Sequence, residues 1–393
     1  MLEGEVSLPT SKSIANRLLV LHYILGKSET IETSNQDILT MQKAIEAIRN
    51  NETIDAGEAG TVLRFSLALA AASPHYSGEI IGNARLFERP IDDLIVLLSD
   101  LGAEITKTQY SIFIKGKKLN GKHVAVKQIE SSQFISALMM VAPLLDDGLT
   151  LTIEPNQNSR SYIEMTSKLM QQLGFAINKT GNSWTIAAHI PKITESINIE
   201  KDWSAASYFF SLALAANQCN VFIEDLQLSF VQGDCTFIKS WVDEGVFVYK
   251  IQDNGILIEG VNKEKIPKLV DFKNQPDIAL NFIIAMAMNK LSFTAKGLET
   301  LNLKESPRLN ILIKNLERMN VTVILKDIST LKIDARAITF NPIIINSYND
   351  HRIAMSFSQL GLKTTCQIEG EDSVKKSFPY YWEQLKQLNF DLQ

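Results

Sequence analysis

The sequence predicts an α/β protein built from a repeat of about 72 residues, each repeat running strand, helix, strand, helix, strand, strand. Two series of helical segments, out of phase with each other, carry that prediction. A third observation joins them: short β-branched stretches lie between the helices.

The first series places a small or polar start before an apolar run. Its members are AGTVLRFSLALAA, SSQFISALMMVAPL, DWSAASYFFSLALAA, QPDIALNFIIAMA and YNDHRIAMSFSQLGL. The anchors Thr61, Ser132, Ser204, Asp277 and Asp350 are separated by 71, 72, 73 and 73 residues. Runs this apolar on every side belong inside a domain, so these helices pack within the strands. An earlier copy, SKSIANRLLVLHYILG, precedes the next anchor by only 50 residues, which makes the first unit shortened or permuted.

The second series comprises ERPIDDLIVLLSDLGAEI, SYIEMTSKLMQQLGFAI, CTFIKSWVDEGVFV and PRLNILIKNLERMNVTV, and FPYYWEQLKQLNF closes the chain as a fifth. Gly102, Gly174, Gly245 and Asn320 share one helix-ending position, 72, 71 and 75 residues apart. Glycine or asparagine there predicts a left-handed cap. The strands are expected at SIFIKG with HVAVKQ, SWTIAA with INIEK, and GILIEG with KLVDF. The repeats up to about Glu200 form one body and the later ones another.

Composition narrows the function. The 393 residues suffice for two or three domains, and 45% hydrophobic with 21% charged residues is ordinary for a soluble globular protein. A net charge of −5 argues against a nucleic-acid scaffold, so any anionic ligand must be held by local cations. No stretch reaches the 18 or so apolar residues of a membrane span, and no signal peptide opens the chain. Cys219, Cys235 and Cys366 are unpaired in number and spacing, as in a reduced, cytoplasmic protein.

The polar starts carry more than caps. SKSIANR offers Lys12, Ser13 and Arg17; AGTVLR offers Gly60, Thr61 and Arg64; SSQ offers Ser131, Ser132 and Gln133. The second series adds Arg89, Ser159, Arg160, Lys304, Glu305, Arg308 and Lys376, and YNDHR adds His351 and Arg352. Singly, each has a bland reading as a cap, a surface charge or a structural histidine. Together they put cations and helix N-termini at equivalent places, which suits a small, multiply anionic ligand. Asp277 and Glu305 are carboxylates among these cations. Each is either a proton-moving group or, more plainly, a cap and an internal ion pair.

The motifs LPTSKSIANR, AGTVLR, FERPI, SSQFISALMMVAPL, SYIEMT, DWSAASYF, LKESPRL and YNDHRIAM resemble those of the 5-enolpyruvylshikimate-3-phosphate synthases, in order and over nearly the whole chain. The resemblance implies six βαβαββ units in two globular domains of the inside-out α/β barrel type. One domain would span 11–200; 1–10 and 201–393 would form the second and close over the cleft. It implies transfer of the enolpyruvyl group of phosphoenolpyruvate to the 5-hydroxyl of shikimate 3-phosphate through a tetrahedral intermediate, without cofactor or metal. The implied enzyme is a monomer that binds small molecules, not nucleic acid or membrane, and glyphosate is the family's inhibitor.

Carried over by motif, Lys12, Ser13, Arg17, Ser131, Ser132, Gln133, Ser159, Asp277 and Lys304 would hold shikimate 3-phosphate. Lys12, Gly60, Arg89, Gln133, Arg308, Arg352 and Lys376 would surround phosphoenolpyruvate. Asp277 would take the hydroxyl proton, Glu305 would serve the methylene carbon, and Lys12 would reach the substrate on closure. His351 would orient its neighbours. Thr10, Glu58, Phe65 and Thr300 depart from residues common in the family. Two rivals remain: the sister transferase acting on UDP-N-acetylglucosamine, and a catalytically silent phosphate-ligand binder. The first usually carries a reactive cysteine near the position of Arg89, and this chain has none there.

Overall fold

The computed structural model describes residues 1–126, 131–192, 196–229 and 231–392. They form two compact units, one of Lys12–Ile199 and one of Met1–Ser11 with Glu200–Gln393. The last two residues of HVAVKQ lie outside the described stretches.

One sheet plan recurs four times. In the unit Lys12–Ile199 one sheet runs Ile54–Asp55, Ser77–Ile81, Ser111–Lys115, Glu104–Lys107, and another Lys122–Val126, Leu149–Ile153, Ser183–Ile186, Ile177–Thr180. In each the first pair is parallel and the other two pairs are antiparallel. The other unit repeats the plan with Leu269–Asp271, Ser292–Lys296, Thr330–Asp334 and Thr322–Asp327. Its remaining four-stranded sheet runs Leu2–Val6, Cys219–Glu224, Gly255–Val261, Phe247–Gln252.

Here the strand expected at INIEK does not form; only Lys201 makes a single bridge, to Thr10. The reason lies at the other end of the chain. Leu2–Val6 takes the parallel place beside Cys219–Glu224, paired Leu2 to Cys219 through Val6 to Ile223. Of the six units implied, four are complete. The first retains two helices, Lys12–Ile24 and Gln36–Asn50, and the last has only the parallel pair Ile343–Asn346 and Cys366–Glu369.

Helices of the first series lie inside. All ten residues of Ala279–Met288 and all eight of His351–Ser358 are buried, as are nearly all of Gly60–Ala71 and Trp203–Ala215. Second-series helices bury one stripe only: Arg308–Arg318 buries Arg308, Leu309, Ile311, Leu312, Asn315 and Leu316 and exposes the rest to varying degrees. Their ends are alike. Gly102, Gly174, Gly245 and Asn320 have φ of 98, 86, 79 and 62°. The next amide in each case donates to the carbonyl five residues back, as from Phe175 to Met170 at 3.0 Å. Asn389, at φ 64°, ends the closing helix the same way through Phe390.

Candidate active site

The polar starts build one cluster of groups in each unit. In the unit Lys12–Ile199, Lys12 opens the helix Lys12–Ile24, and its Nζ lies 2.9 Å from Asp37 Oδ2. Asp37 sits in the first turn of Gln36–Asn50, whose cap, Asn35, accepts from the Asp37 and Ile38 amides. Sequence reasoning missed Asp37, because an acid after an asparagine cap is normal helix grammar.

Arg17 is 2% exposed, and its Cζ lies over the rings of Phe65 and Tyr162, with centroids 5.3 and 5.9 Å away. Its donors go to Thr166 Oγ1 at 2.7 Å, the Ser13 carbonyl at 2.8 Å and Ser136 Oγ at 3.2 Å. Burial lowers its pKa to about 10. The unusual Phe65 therefore has a plain task, supplying one face of this cation's slot.

Gly60 starts the helix Gly60–Ala71 where two guanidinium groups converge. A Cβ there would meet Arg64 Nη1 at 2.5 Å and Arg89 Nη1 at 2.7 Å. Arg64 donates to Gln133 Oε1 and to the Pro90 carbonyl, both at 2.9 Å, and Gln133 Nε2 donates to Thr61 Oγ1 at 2.9 Å. Arg89 differs. It is 9% exposed, and its guanidinium has no hydrogen bond or ion pair among the described residues. Ser131 caps Ser132–Val141 by accepting from the Gln133 amide, and Ser132 is buried. Ser159 is also buried and holds φ 56°, left-handed for a serine, just before Arg160–Gln172. Glu58 is exposed.

In the other unit, Asp277 lies in the turn Pro276–Ile278 amid three cations. Lys304 Nζ is 3.3 Å and Arg308 Nη1 3.6 Å from its Oδ1; Arg352 Nη2 is 3.1 Å from its Oδ2. Arg352 Nη1 also donates to the Asp277 carbonyl at 2.8 Å. Burial would raise the Asp277 carboxyl, but Arg352, Lys304 and Arg308 together hold it far below the usual carboxylate range. Glu305 Oε2 accepts from Arg308 Nη2 at 2.5 Å. Arg308 also grips Asp350, which in turn caps the helix His351–Ser358 by accepting from the Arg352 amide at 2.9 Å.

His351 is buried beside this pair, its Nδ1 4.0 Å from Asp350 Oδ1, beyond hydrogen-bond reach. Lys376 ends the turn Glu371–Lys376, which packs on the helix carrying Arg352. Thr300 is buried, and its hydroxyl has no partner among the described residues. Asp234 is a further group that the sequence did not single out. Burial pushes its carboxyl up to about 7, opposed by a hydrogen bond from Ser204 and assisted by the charge of Asp277. As a first-turn acid of Gly233–Asp243 it has no distinguishing sequence signal.

Comparison with known proteins decides the family. The family model described as EPSP synthase (3-phosphoshikimate 1-carboxyvinyltransferase) matches residues 25–385. The chain belongs to the EPSP synthase family. Family relatives share its full length: a 3-phosphoshikimate 1-carboxyvinyltransferase of Bacteroides fragilis strain YCH46 is 31% identical, over 100% of this chain and 96% of that one. One of Methanocaldococcus jannaschii is 26% identical, over 100% and 97%. The EPSP synthase fold is also matched by the solved structure from Acinetobacter baumannii, at TM-score 0.74 and 20% identity, covering 100% of this chain and 97% of that one.

Proposed function

We propose that the chain transfers the enolpyruvyl group of phosphoenolpyruvate to the 5-hydroxyl of shikimate 3-phosphate and releases phosphate. The observation that carries this reading is the placement of Asp277 and Glu305 among Lys304, Arg308 and Arg352. A protein that only bound anions would gain nothing from carboxylates there. The same point weighs against a silent phosphate-ligand binder.

In this mechanism Asp277 accepts the proton of the 5-hydroxyl as its oxygen bonds to C2 of phosphoenolpyruvate, and Glu305, in its protonated form, delivers its proton to C3. The resulting tetrahedral intermediate carries both the new ether oxygen and phosphate on C2. Loss of a C3 proton to Glu305, with departure of phosphate, leaves the enolpyruvyl ether. Arg308, Arg352, Lys376, Lys12 and Arg89 offset the charge of phosphoenolpyruvate, and the Gly60 backbone allows its close approach. Ser13, Arg17, Ser131, Ser132, Gln133, Ser159 and Lys304 hold shikimate 3-phosphate. The two units close over both substrates and exclude water. One copy of the chain supplies every group, in the cytoplasm, where the phosphorylated substrates and reduced thiols belong.

The test is phosphate release. It is expected only with both substrates present, and Asp277→Asn should lower turnover by about 10²–10⁴-fold. Folded protein that releases no phosphate above background refutes the reading.

A further inference from the structure

We infer that Asp277 is a built-in counter-anion: it occupies the cations of its own site until an anionic substrate takes them, and only then becomes an active base. The inference rests on the proposed enolpyruvyl transfer and concerns how that site is switched on.

Cations and carboxylates face each other directly, with the Asp234 carboxyl close enough to be influenced by Asp277 and Arg352. Lys304, Arg308 and Arg352 face Asp277, Glu305 and Asp350, three against three. Of the three carboxylates, Asp350 is fixed. It is fully buried and bound by Arg308 Nε, Arg308 Nη2, Ser306 Oγ and the Arg352 amide. Glu305 engages one arginine. Asp277 alone spans all three cations, and its side chain is 19% exposed, so it can be displaced from them by an incoming anion.

A carboxylate gripped by three cations is a weak proton acceptor at neutral pH. A phosphate or carboxylate of a substrate competes for the same nitrogens. Each cation drawn toward the ligand returns proton affinity to Asp277, so the base becomes active as the site fills. Ligand-free protein is thereby kept from abstracting protons. The other side of the exchange is a weaker affinity, because every anion must displace Asp277 before it binds.

The experiment is calorimetric titration of phosphoenolpyruvate, and separately of inorganic phosphate, into ligand-free protein. Asp277→Asn keeps the shape and removes the competing charge. It should bind both anions at least about tenfold tighter than the parent, while turning over far more slowly. Glu305→Gln, which removes the partner of a single arginine, should tighten binding by less. Asp243→Asn, at an exposed carboxylate paired with Lys239 in the same unit, should leave affinity unchanged and controls for overall charge. Affinity in Asp277→Asn that equals or falls below the parent, or binding by neither protein, overturns the inference; so does tightening in Asp243→Asn as large as in Asp277→Asn. Should Asp277→Asn not fold, the Glu305→Gln titration decides, and no tightening there overturns it. Parent turnover is measured separately, so a failure here leaves the transferase reading standing.

Discussion

Arg308 holds Asp350 with two nitrogens, Nε on Oδ2 at 2.8 Å and Nη2 on Oδ1 at 3.1 Å, and both side chains are almost wholly withdrawn from solvent. The pair joins the start of Arg308–Arg318 to the start of His351–Ser358, and so sets the aim of Arg308 and Arg352 together.

Asp350→Ala should therefore cost stability and activity at once. Leaving a buried guanidinium without its bidentate partner is worth about 3–5 kcal/mol. Urea unfolding followed by circular dichroism measures it. A loss below about 1 kcal/mol would mean that Glu305 and Asp277 already satisfy Arg308.

Lys12→Met removes a cation from its helix start and leaves Asp37 without its 2.9 Å partner. The KM for phosphoenolpyruvate should rise by about one to two powers of ten at saturating shikimate 3-phosphate. Unchanged saturation would place Lys12 outside the substrate pocket.

Gly60→Ala drives a methyl group into the space of the Arg64 and Arg89 guanidinium groups. A forced contact of this kind costs typically ~1–3 kcal/mol, or about one to two powers of ten in affinity. Glyphosate, longer than phosphoenolpyruvate, should lose more than the substrate does. The inhibition constant should therefore rise by a larger factor than the KM; equal factors, or none, would remove Gly60 from the pocket wall.

Stability should fall with rising pH through Asp234. Its carboxyl is raised to about 7 in the folded protein, against about 3.9 unfolded, so the folded state holds the extra proton between those values. The stabilisation is complete below about pH 4 and is lost as pH climbs through about 7. Asp277 acts oppositely: its carboxyl is depressed by Arg352, Lys304 and Arg308 against the effect of burial, and its stabilisation is lost only in acid. Asp234→Asn should thus flatten the decline in Tm between about pH 4 and pH 7. A parallel decline in parent and variant would assign it to other groups.

Local grammar made much of this legible. A helix buried on every side reads as an unbroken apolar run, and a glycine needing φ near +80° announces its helix end, so both series emerged from spacing alone. What sequence concealed were partnerships over long separations. INIEK has ordinary strand composition, yet its slot beside Cys219–Glu224 went to Leu2–Val6, a competition that no local pattern encodes. Lys12 with Asp37, and Arg64 with Gln133, are likewise chosen by packing between helices. Asp234 looked like any first-turn acid, because depth of burial is a property of the finished unit.

The pairing of Leu2–Val6 with Cys219–Glu224 also sets a timetable for synthesis. Leu2–Val6 meets its partner only after more than two hundred further residues have been made. During that interval Lys12–Ile199 can complete its own core, while Leu2–Val6 waits as an unpaired segment. Assembly is then out of sequence order: Lys12–Ile199 closes first, and Leu2–Val6 joins the unit that follows it. A released chain truncated near residue 210 should accordingly show protease-resistant Lys12–Ile199 and a cleavable N-terminal strand.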